Sequence, residues 1–411
     1  MLERYFTHPR VLRRHRGRLL GPFLDSYVAL AGDLGYPRQN VRHQCHVIGH
    51  FSDWLERHRL GVADIDGAVV ERHMRSRKRT RHVELVTLRR FVELLRELGQ
   101  IPPPASMPPL SASDALVSRF EKHLEGNRRV VASTARYYGS FAREFLAAQC
   151  PDGTSHLQRL RASDVTAFVV TWTRAHPRAR AKLLVTALRA FLRFLLQHGD
   201  IDFDLAPAVP SVAGWRLAGL PKYLPRDQVE RVLASCDRRT AKGRRSYAIL
   251  LLLAKLGIRA REVARLEIGD IDWEAGELIV RGKSLREDRL PLVQDVGEAL
   301  ADYLRHGRPQ CSTRRVFVTA RAPIRAISEQ SVVTTIVTRA MRRAGLDPRL
   351  SKPHALRHSL ATRMLAGGAS MAEIAEVLRH RSPQTTEIYA KVDFRSLRAL
   401  ALPWPGKEAT Q

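Results

Sequence analysis

Apolar residues run unbroken from Ala248 to Ala254, inside a longer pattern from Arg244 to Leu256. Such a run is too short to cross a membrane and has no polar face, so it predicts a helix buried on all sides. Apolar positions at helical spacing predict further helices over Asp227–Ser235, Ile258–Leu266, Glu329–Ala344, Ala355–Ala366, Met371–Leu378 and Pro383–Val392. Ser382-Pro383 starts the last of these, with serine as the cap and proline at the first helical position. The stretch GELIVRGKSLREDRLPL breaks the helical period and reads as a hairpin, Glu277–Arg281 and Asp288–Leu292 about a polar turn. Arg315–Thr319 (RVFVT) is a candidate third strand. The expected class is mainly α with a small antiparallel β-sheet.

The first half of the chain is helical in pattern throughout. TLRRFVELLRELGQI (Thr87 to Ile101) matches ALRAFLRFLLQHGDI (Ala187 to Ile201) at an offset of 100 residues. Asp64-Ile65 and Asp164-Val165 share that offset, and FSDWL (Phe51 to Leu55) pairs with FAREFL (Phe141 to Leu146) once a shift of nine is allowed. One small helical domain present twice accounts for this, although any two amphipathic helices share some likeness. Two proline-rich stretches read as linkers, Ile101 to Leu110 and about Asp202 to Pro225. The domains expected are therefore 1–100 (a helical N-terminal domain, a candidate duplicate), 111–205 (helical), 222–400 (the mixed segment) and a 401–411 tail.

Charge changes the picture. Lys and Arg number 69 against 41 Asp and Glu, a formal net charge of +28 in 411 residues. Hydrophobic residues make up 44% of the chain, too many for a disordered basic tail, so this is a folded protein whose field attracts polyanions. Nucleic acid is the default partner, a property shared with ribosomal proteins, polymerases and nucleases. Arginine-rich runs at Arg75–Arg81 and Arg174–Arg180 recur at the same place in each repeat and suggest a DNA-facing strip. Cys45, Cys150, Cys236 and Cys311 lie far apart with no CxxC pair, which argues against a zinc site or disulfide scaffold and suits a reducing interior. The basic N-terminus lacks the apolar core of a signal peptide. A soluble, cytoplasmic protein with no membrane partner is expected.

The candidate chemistry lies in the last third. His354 and Arg357 are three apart on a helix and so share a face; His380 follows, and Tyr389 lies nine beyond it. Arg259 opens the helix after the apolar run, and Lys283 sits at the hairpin turn. Two arginines, two histidines, a lysine and a tyrosine suffice for phosphoryl transfer without a metal. Arginines clamp non-bridging phosphate oxygens, histidine holds a proton near neutral pH, lysine protonates a leaving alkoxide and tyrosine attacks phosphorus. Taken singly each is ordinary: HxxR arises by chance, most arginines coat a surface, a hairpin lysine solubilises and a tyrosine packs.

The segments LGIRAREVARLEIGDID (Leu256 to Asp272), VRGKSLREDRLPL (Val280 to Leu292), HALRHSLATRML (His354 to Leu365) and LRHRSPQTTEIYAKV (Leu378 to Val392) together resemble the boxes of the tyrosine recombinase, or phage integrase, family. The resemblance covers about 180 residues and extends loosely over 111–205, which is similar to the family's helical core-binding domain. It implies a C-shaped clamp of two domains around a DNA duplex. It implies Arg259 and Arg357 as the catalytic arginines, Lys283 as general acid toward the 5′-oxygen, His354 as proton acceptor and His380 as a hydrogen bonder to the transition state. Tyr389 would be the nucleophile forming a 3′-phosphotyrosyl bond, and Glu262 would buttress Arg259. The choice of Lys283 over Arg281 or Arg286 rests on the resemblance and the hairpin placement.

Two departures stand out. The family usually has Leu-Gly-His where this chain has Leu378-Arg379-His380, a place where glycine implies tight packing or an unusual backbone angle. Residues 1–100 are an addition that could extend the footprint, hold a second DNA arm or mediate protomer contacts. Past Tyr389, Phe394, Leu397, Leu400 and Leu402 form an apolar stripe for a neighbouring subunit or for the chain's own domain. The ending and layout look most like recombinases carried by transposons and insertion elements.

The expected function is site-specific DNA recombination or integration, or transposition of the tyrosine type, without metal, ATP or other cofactor. Expected partners are double-stranded DNA, a homo-oligomer (a dimer per site and a tetramer in the synapse) and accessory or sister recombinases. The rivals are a non-cleaving DNA-binding regulator, a type IB topoisomerase-like enzyme and a telomere resolvase.

Overall fold

The computed structural model describes residues 1–77, 82–103, 111–126, 130–151, 153–213, 220–282, 287–327, 329–350, 352–380 and 382–392. Lys283, the end of the Arg75–Arg81 run and the stripe beyond Tyr389 lie outside the described residues. Two compact units result, one of Met1–Pro102 with Gly219–Gln411 and one of Pro103–Ala218.

The N-terminal part of the first unit holds α1 (Pro9–Arg16), α2 (Leu24–Asp33), α3 (Arg38–Arg57), α4 (Gly67–Arg75) and α5 (His82–Glu97). Its own core gathers Tyr27, Ile48, Phe51, Leu88 and Phe91. The second unit holds α6 (Ala112–Gly126), α7 (Ala132–Gln149), α8 (Ala162–Ala175) and α9 (Arg178–Gln197) around Phe120, Phe145, Phe191 and Leu195. In both, the last long helix packs on the two helices most alike in position: α5 on α3 and α4, α9 on α7 and α8.

The match extends to how these helices end. Gly99 and Gly199 both take positive φ (68° and 71°), and the next amide reaches back to the carbonyls of Leu95 and Leu195. That is the Schellman ending, for which glycine is suited because it has no Cβ to clash in the left-handed region. The second proline-rich stretch is partly structural: Leu205, Ala206 and Val209 join the core of the second unit. The arginine runs are partly committed as well. Arg77 pairs with Glu84 at 2.8 Å, and Arg180 pairs with Glu144 at 3.1 Å while lying over the Trp172 ring.

The mixed segment continues with α10 (Arg226–Ala234), α11 (Ala241–Lys255), α12 (Ala260–Arg265), β1 (Ile271–Asp272), β2 (Glu277–Arg281), β3 (Glu287–Pro291), α13 (Gln294–His306), α14 (Gln330–Arg343), α15 (Pro353–Ala366) and α16 (Met371–Val377). Helix α11 is the axis. Every residue from Ala248 to Ala254 is buried, and α10, α12, α13, α14 and α15 all pack on it. The sheet is antiparallel in the order β1-β2-β3, with Leu278 opposite Leu290 and Val280 opposite Asp288. Leu278 and Val280 face the core and Ile279 faces outward, the period of two that a half-buried strand requires.

Three sequence expectations need correction. Arg315–Thr319 does not form a third strand; it makes only isolated bridges, Glu267 with Arg315 and Val318 with Ala326, and β1 takes the third place instead. Helix α13 was not among the expected helices, although Val296, Leu300 and Tyr303 bury one face of it. Tyr389 does not sit on a regular helix begun by Pro383. Pro383–Thr385 and Glu387–Val392 are separate 3-10 turns, broken at Thr386, whose buried side chain is held by His380.

Gly257 joins α11 to α12 at φ +58°, and a Cβ there would lie 2.8 Å from Leu378 and 3.0 Å from Leu360. Gly257→Ala is expected to lower stability by about 1–3 kcal/mol through the left-handed conformation and that crowding. Thermal unfolding would show it; an unchanged melting temperature would mean the junction relaxes freely.

Candidate active site

Arg259 precedes α12 as its N-cap residue, and Glu262 three residues on closes the turn. The Glu262 carboxylate accepts the Arg259 backbone N–H and its Nη1, both at 2.9 Å. One acid therefore caps the helix and holds the guanidinium. The Arg259 side chain remains 39% exposed, which leaves it open to a ligand.

Arg357 comes from α15 and is buried. Its Nη1 donates to the Gly257 carbonyl and its Nη2 to the Leu378 carbonyl. Arg259 Nη2 donates to the next carbonyl, that of Arg379, at 3.3 Å. Both arginines thus grip consecutive carbonyls just ahead of His380. A guanidinium has five N–H donors, so each keeps others for a bound anion.

His380 follows α16 through another Schellman ending. The amide of Arg379 donates to Glu376 and that of His380 to Ala375, with Arg379 at φ +55°. The unusual backbone angle expected where the family has glycine is therefore present, adopted by an arginine. His380 Nδ1 lies 2.7 Å from the Thr386 hydroxyl, which orients the imidazole.

Tyr389 is fully buried, and its Oη lies 2.8 Å from Nδ1 of His358. His358 was not singled out from the sequence. The available signal was its place one helical turn after His354, which puts the two rings on one side of α15, 6.3 Å apart between centroids. Arg379 was noticed only as a departure, and its side chain proves to be an interior one: it is 7% exposed and meets Glu262 at 2.8 Å. The fold brings Arg259, Glu262, His354, Arg357, His380 and Tyr389 into one region. Arg281, one of the two alternatives to Lys283, is committed to Asp270 and Glu287.

The electrostatics follow from crowding cations in a partly dry place. Burial, then Arg259 and Arg379, lowers the Arg357 pKa to about 10. Burial, then Arg357 and Arg259, holds His380 at about 4; burial, then His354 and Arg357, does the same to His358. His354 is exposed on one side, yet burial on the other, followed by Arg357 and Arg259, lowers its pKa too. Burial raises Tyr389 to about 12, opposed by Arg357. For Glu262 burial pushes upward, but Arg379 and the hydrogen bonds from Arg259 outweigh it and the net shift is downward. The site at neutral pH holds neutral imidazoles, a protonated phenol and an excess of guanidinium charge, an arrangement that awaits a polyanion. Among the described residues no group of three or more His, Cys, Asp or Glu is placed to hold a metal ion.

The sequence profile of the Phage integrase family matches residues 222–396. The integrase/recombinase homologue y4rA of Sinorhizobium fredii is 44% identical over 91% of this chain and 92% of its own length. Tyrosine recombinase XerD of Mycobacterium tuberculosis is 33% identical over 69% of this chain and 94% of its own. Among solved structures, the XerH site-specific recombinase bound to a palindromic difH substrate superposes with TM-score 0.55 at 21% identity, over 76% of this chain and 88% of that one. A lambda integrase dimer bound to a COC′ core site gives TM-score 0.52 at 19% identity, over 72% and 99%. The chain belongs to the tyrosine recombinase, or phage integrase, family. It is a site-specific recombinase, an enzyme that cleaves and rejoins DNA.

The histidines make stability depend on pH. An unfolded histidine takes up a proton near its ordinary pKa of 6.5, while folded His358 and His380 refuse it until about 4. The unfolded chain therefore binds more protons in that window, and stability present above pH 6.5 is lost as pH falls toward 4. The melting temperature should drop over that range, and His358→Asn should flatten part of the drop. A variant with the same pH dependence as wild type would show that His358 titrates normally.

Proposed function

We propose that Tyr389 Oη attacks the scissile phosphate, forming the Tyr389–phosphorus bond and breaking the bond to the 5′-oxygen. The phenolic proton passes to His354, His380 hydrogen-bonds the transition state, and Lys283 supplies a proton to the departing 5′-oxygen. The guanidinium groups of Arg259 and Arg357 neutralise the non-bridging oxygens as charge develops on them. The observation that carries this reading is the pair of arginines fastened to adjacent carbonyls of the loop that delivers His380, with the Tyr389 phenol within the field of Arg357.

Because the Tyr389 hydroxyl is buried against His358, we take this arrangement as a resting one, and attack requires the Glu387–Val392 turn to shift. The exchange conserves phosphodiester energy in the tyrosyl ester and needs neither ATP nor metal. The substrate is double-stranded DNA, bound by a dimer at each site and a tetramer in the synapse. The solved relatives support that stoichiometry, since they include a lambda integrase dimer on a core site and a tetramer on a Holliday junction. We also propose the domain division 1–100, 111–205, 222–400 and a 401–411 tail, with 111–205 as the core-binding domain and 1–100 its duplicate. The separate cores and matching helix endings support it. A cytoplasmic location fits this role; no helix among the described residues is long and apolar enough to cross a membrane.

The test is a nicked duplex from the flank of the DNA element that encodes the protein, incubated in EDTA and run on a denaturing gel. Wild type should give a protease-sensitive covalent complex and Tyr389→Phe none. Arg259→Ala and Arg357→Ala should each slow adduct formation by about 10²–10³-fold, the usual loss when one oxyanion-stabilising donor is removed. Binding without any adduct would favour a non-cleaving DNA-binding regulator, and an adduct surviving in Tyr389→Phe would mean another nucleophile.

A further inference from the structure

Arg379 occupies the position least suited to it. The Schellman ending of α16 needs a residue with positive φ, glycine fills that place without strain, and an arginine pays in backbone energy. The side chain then turns inward and buries a charge, which adds a desolvation cost. Stability gives no reason to keep a residue with both penalties, so its use is sought in what it touches.

It touches three parts of the site. Its Nη2 donates to Glu262 Oε2 at 2.8 Å, while Arg259 holds Oε1 of the same carboxylate at 2.9 Å. Its backbone carbonyl accepts from Arg259 Nη2 at 3.3 Å. Its Nη1 lies 3.8 Å from Asp288 on β3, a strand remote from α16 in the chain. Arg379 and Glu262 are both 7% exposed, so this pairing is shielded from salt and water. With two guanidinium groups on one carboxylate, Glu262 neutralises Arg259 less completely, and Arg259 keeps more charge for an incoming phosphate.

We propose that Arg379 is a positioning residue for strand cleavage: it locks Glu262, and through it the guanidinium of Arg259, against the loop that delivers His380, with Asp288 of β3 at ion-pair distance. This rests on the reading that Arg259 grips the scissile phosphate. A glycine here gives the α16 ending alone; the arginine adds a brace between the α12 turn and the His380 loop.

The test exploits the backbone. Arg379→Gly removes the brace and relieves the strain, so the protein should melt at or above the wild-type temperature. On the same nicked duplex at saturating protein, its rate of adduct formation should nonetheless fall about ten- to a hundredfold, the scale on which a small misplacement of a catalytic group acts. DNA affinity should stay within about threefold, because the loss is in the chemical step rather than in ground-state binding. Arg379→Lys, which keeps a charge but not the planar fork, should recover part of the rate. A wild-type rate in Arg379→Gly would overturn the proposal, as would a loss confined to DNA affinity or one that tracks a lowered melting temperature. Arg259→Ala run in parallel separates the two ideas. If it is slow and Arg379→Gly is not, only the role of Arg379 fails; if Arg259→Ala cleaves like wild type, the reading of Arg259 fails and takes this one with it.

Discussion

Two guanidinium groups fastened to backbone carbonyls hold the candidate active site together. Arg357 bonds Gly257 and Leu378, and Arg259 bonds Arg379, so residues more than a hundred positions apart meet at two side chains. Charge-assisted bonds to carbonyls are directional, and a planar fork fixes orientation as well as distance. The left-handed turns at Gly257 and Arg379 bring the carbonyls into reach. Behind them stands α11, buried from Ala248 to Ala254, which gives α12 and α15 a common surface.

That arrangement costs stability. Like charges are crowded, Arg357 is largely removed from water, and three imidazoles are kept neutral by burial and neighbouring cations. The balancing negative charge is Glu262, with Asp288 at the margin, and both are shared with Arg379. A phosphate diester brings what the resting site lacks. In the proposed mechanism that complementarity is kept for the DNA-bound state; in the structure the buried Tyr389 hydroxyl is paired with His358.

Much of this was legible in the residues. The period of the apolar positions located most helices of the mixed segment, and the alternation in ELIVR located the hairpin. The repeat at an offset of 100 extends to the glycine-terminated ends of α5 and α9, because a Schellman ending leaves a glycine in the sequence. The failures have physical causes as well. RVFVT has a strand's composition but no continuous partner, so only bridges form. The segment after His380 has a helix-start signal, yet it forms two tighter turns that part at Thr386, the residue bonded to His380. The proline-rich stretch near residue 205 read as a linker because composition does not reveal that Leu205 and Val209 find a core to join.

The sequence by itself determined the class of fold, and it pointed to a polyanionic partner and to a set of side chains suited to phosphoryl transfer. These depend on local periodicity, total charge and residue type, all of which survive without coordinates. Only the tertiary structure decided that Tyr389 is buried against His358, that Arg281 is committed elsewhere and that Arg379 faces inward to share Glu262 with Arg259. Those outcomes depend on which distant carbonyl, carboxylate or imidazole lies within about 3 Å of a donor, the reach of a hydrogen bond. No pattern along the chain encodes that distance, because it is set by how α11, α15 and the loop after α16 pack together.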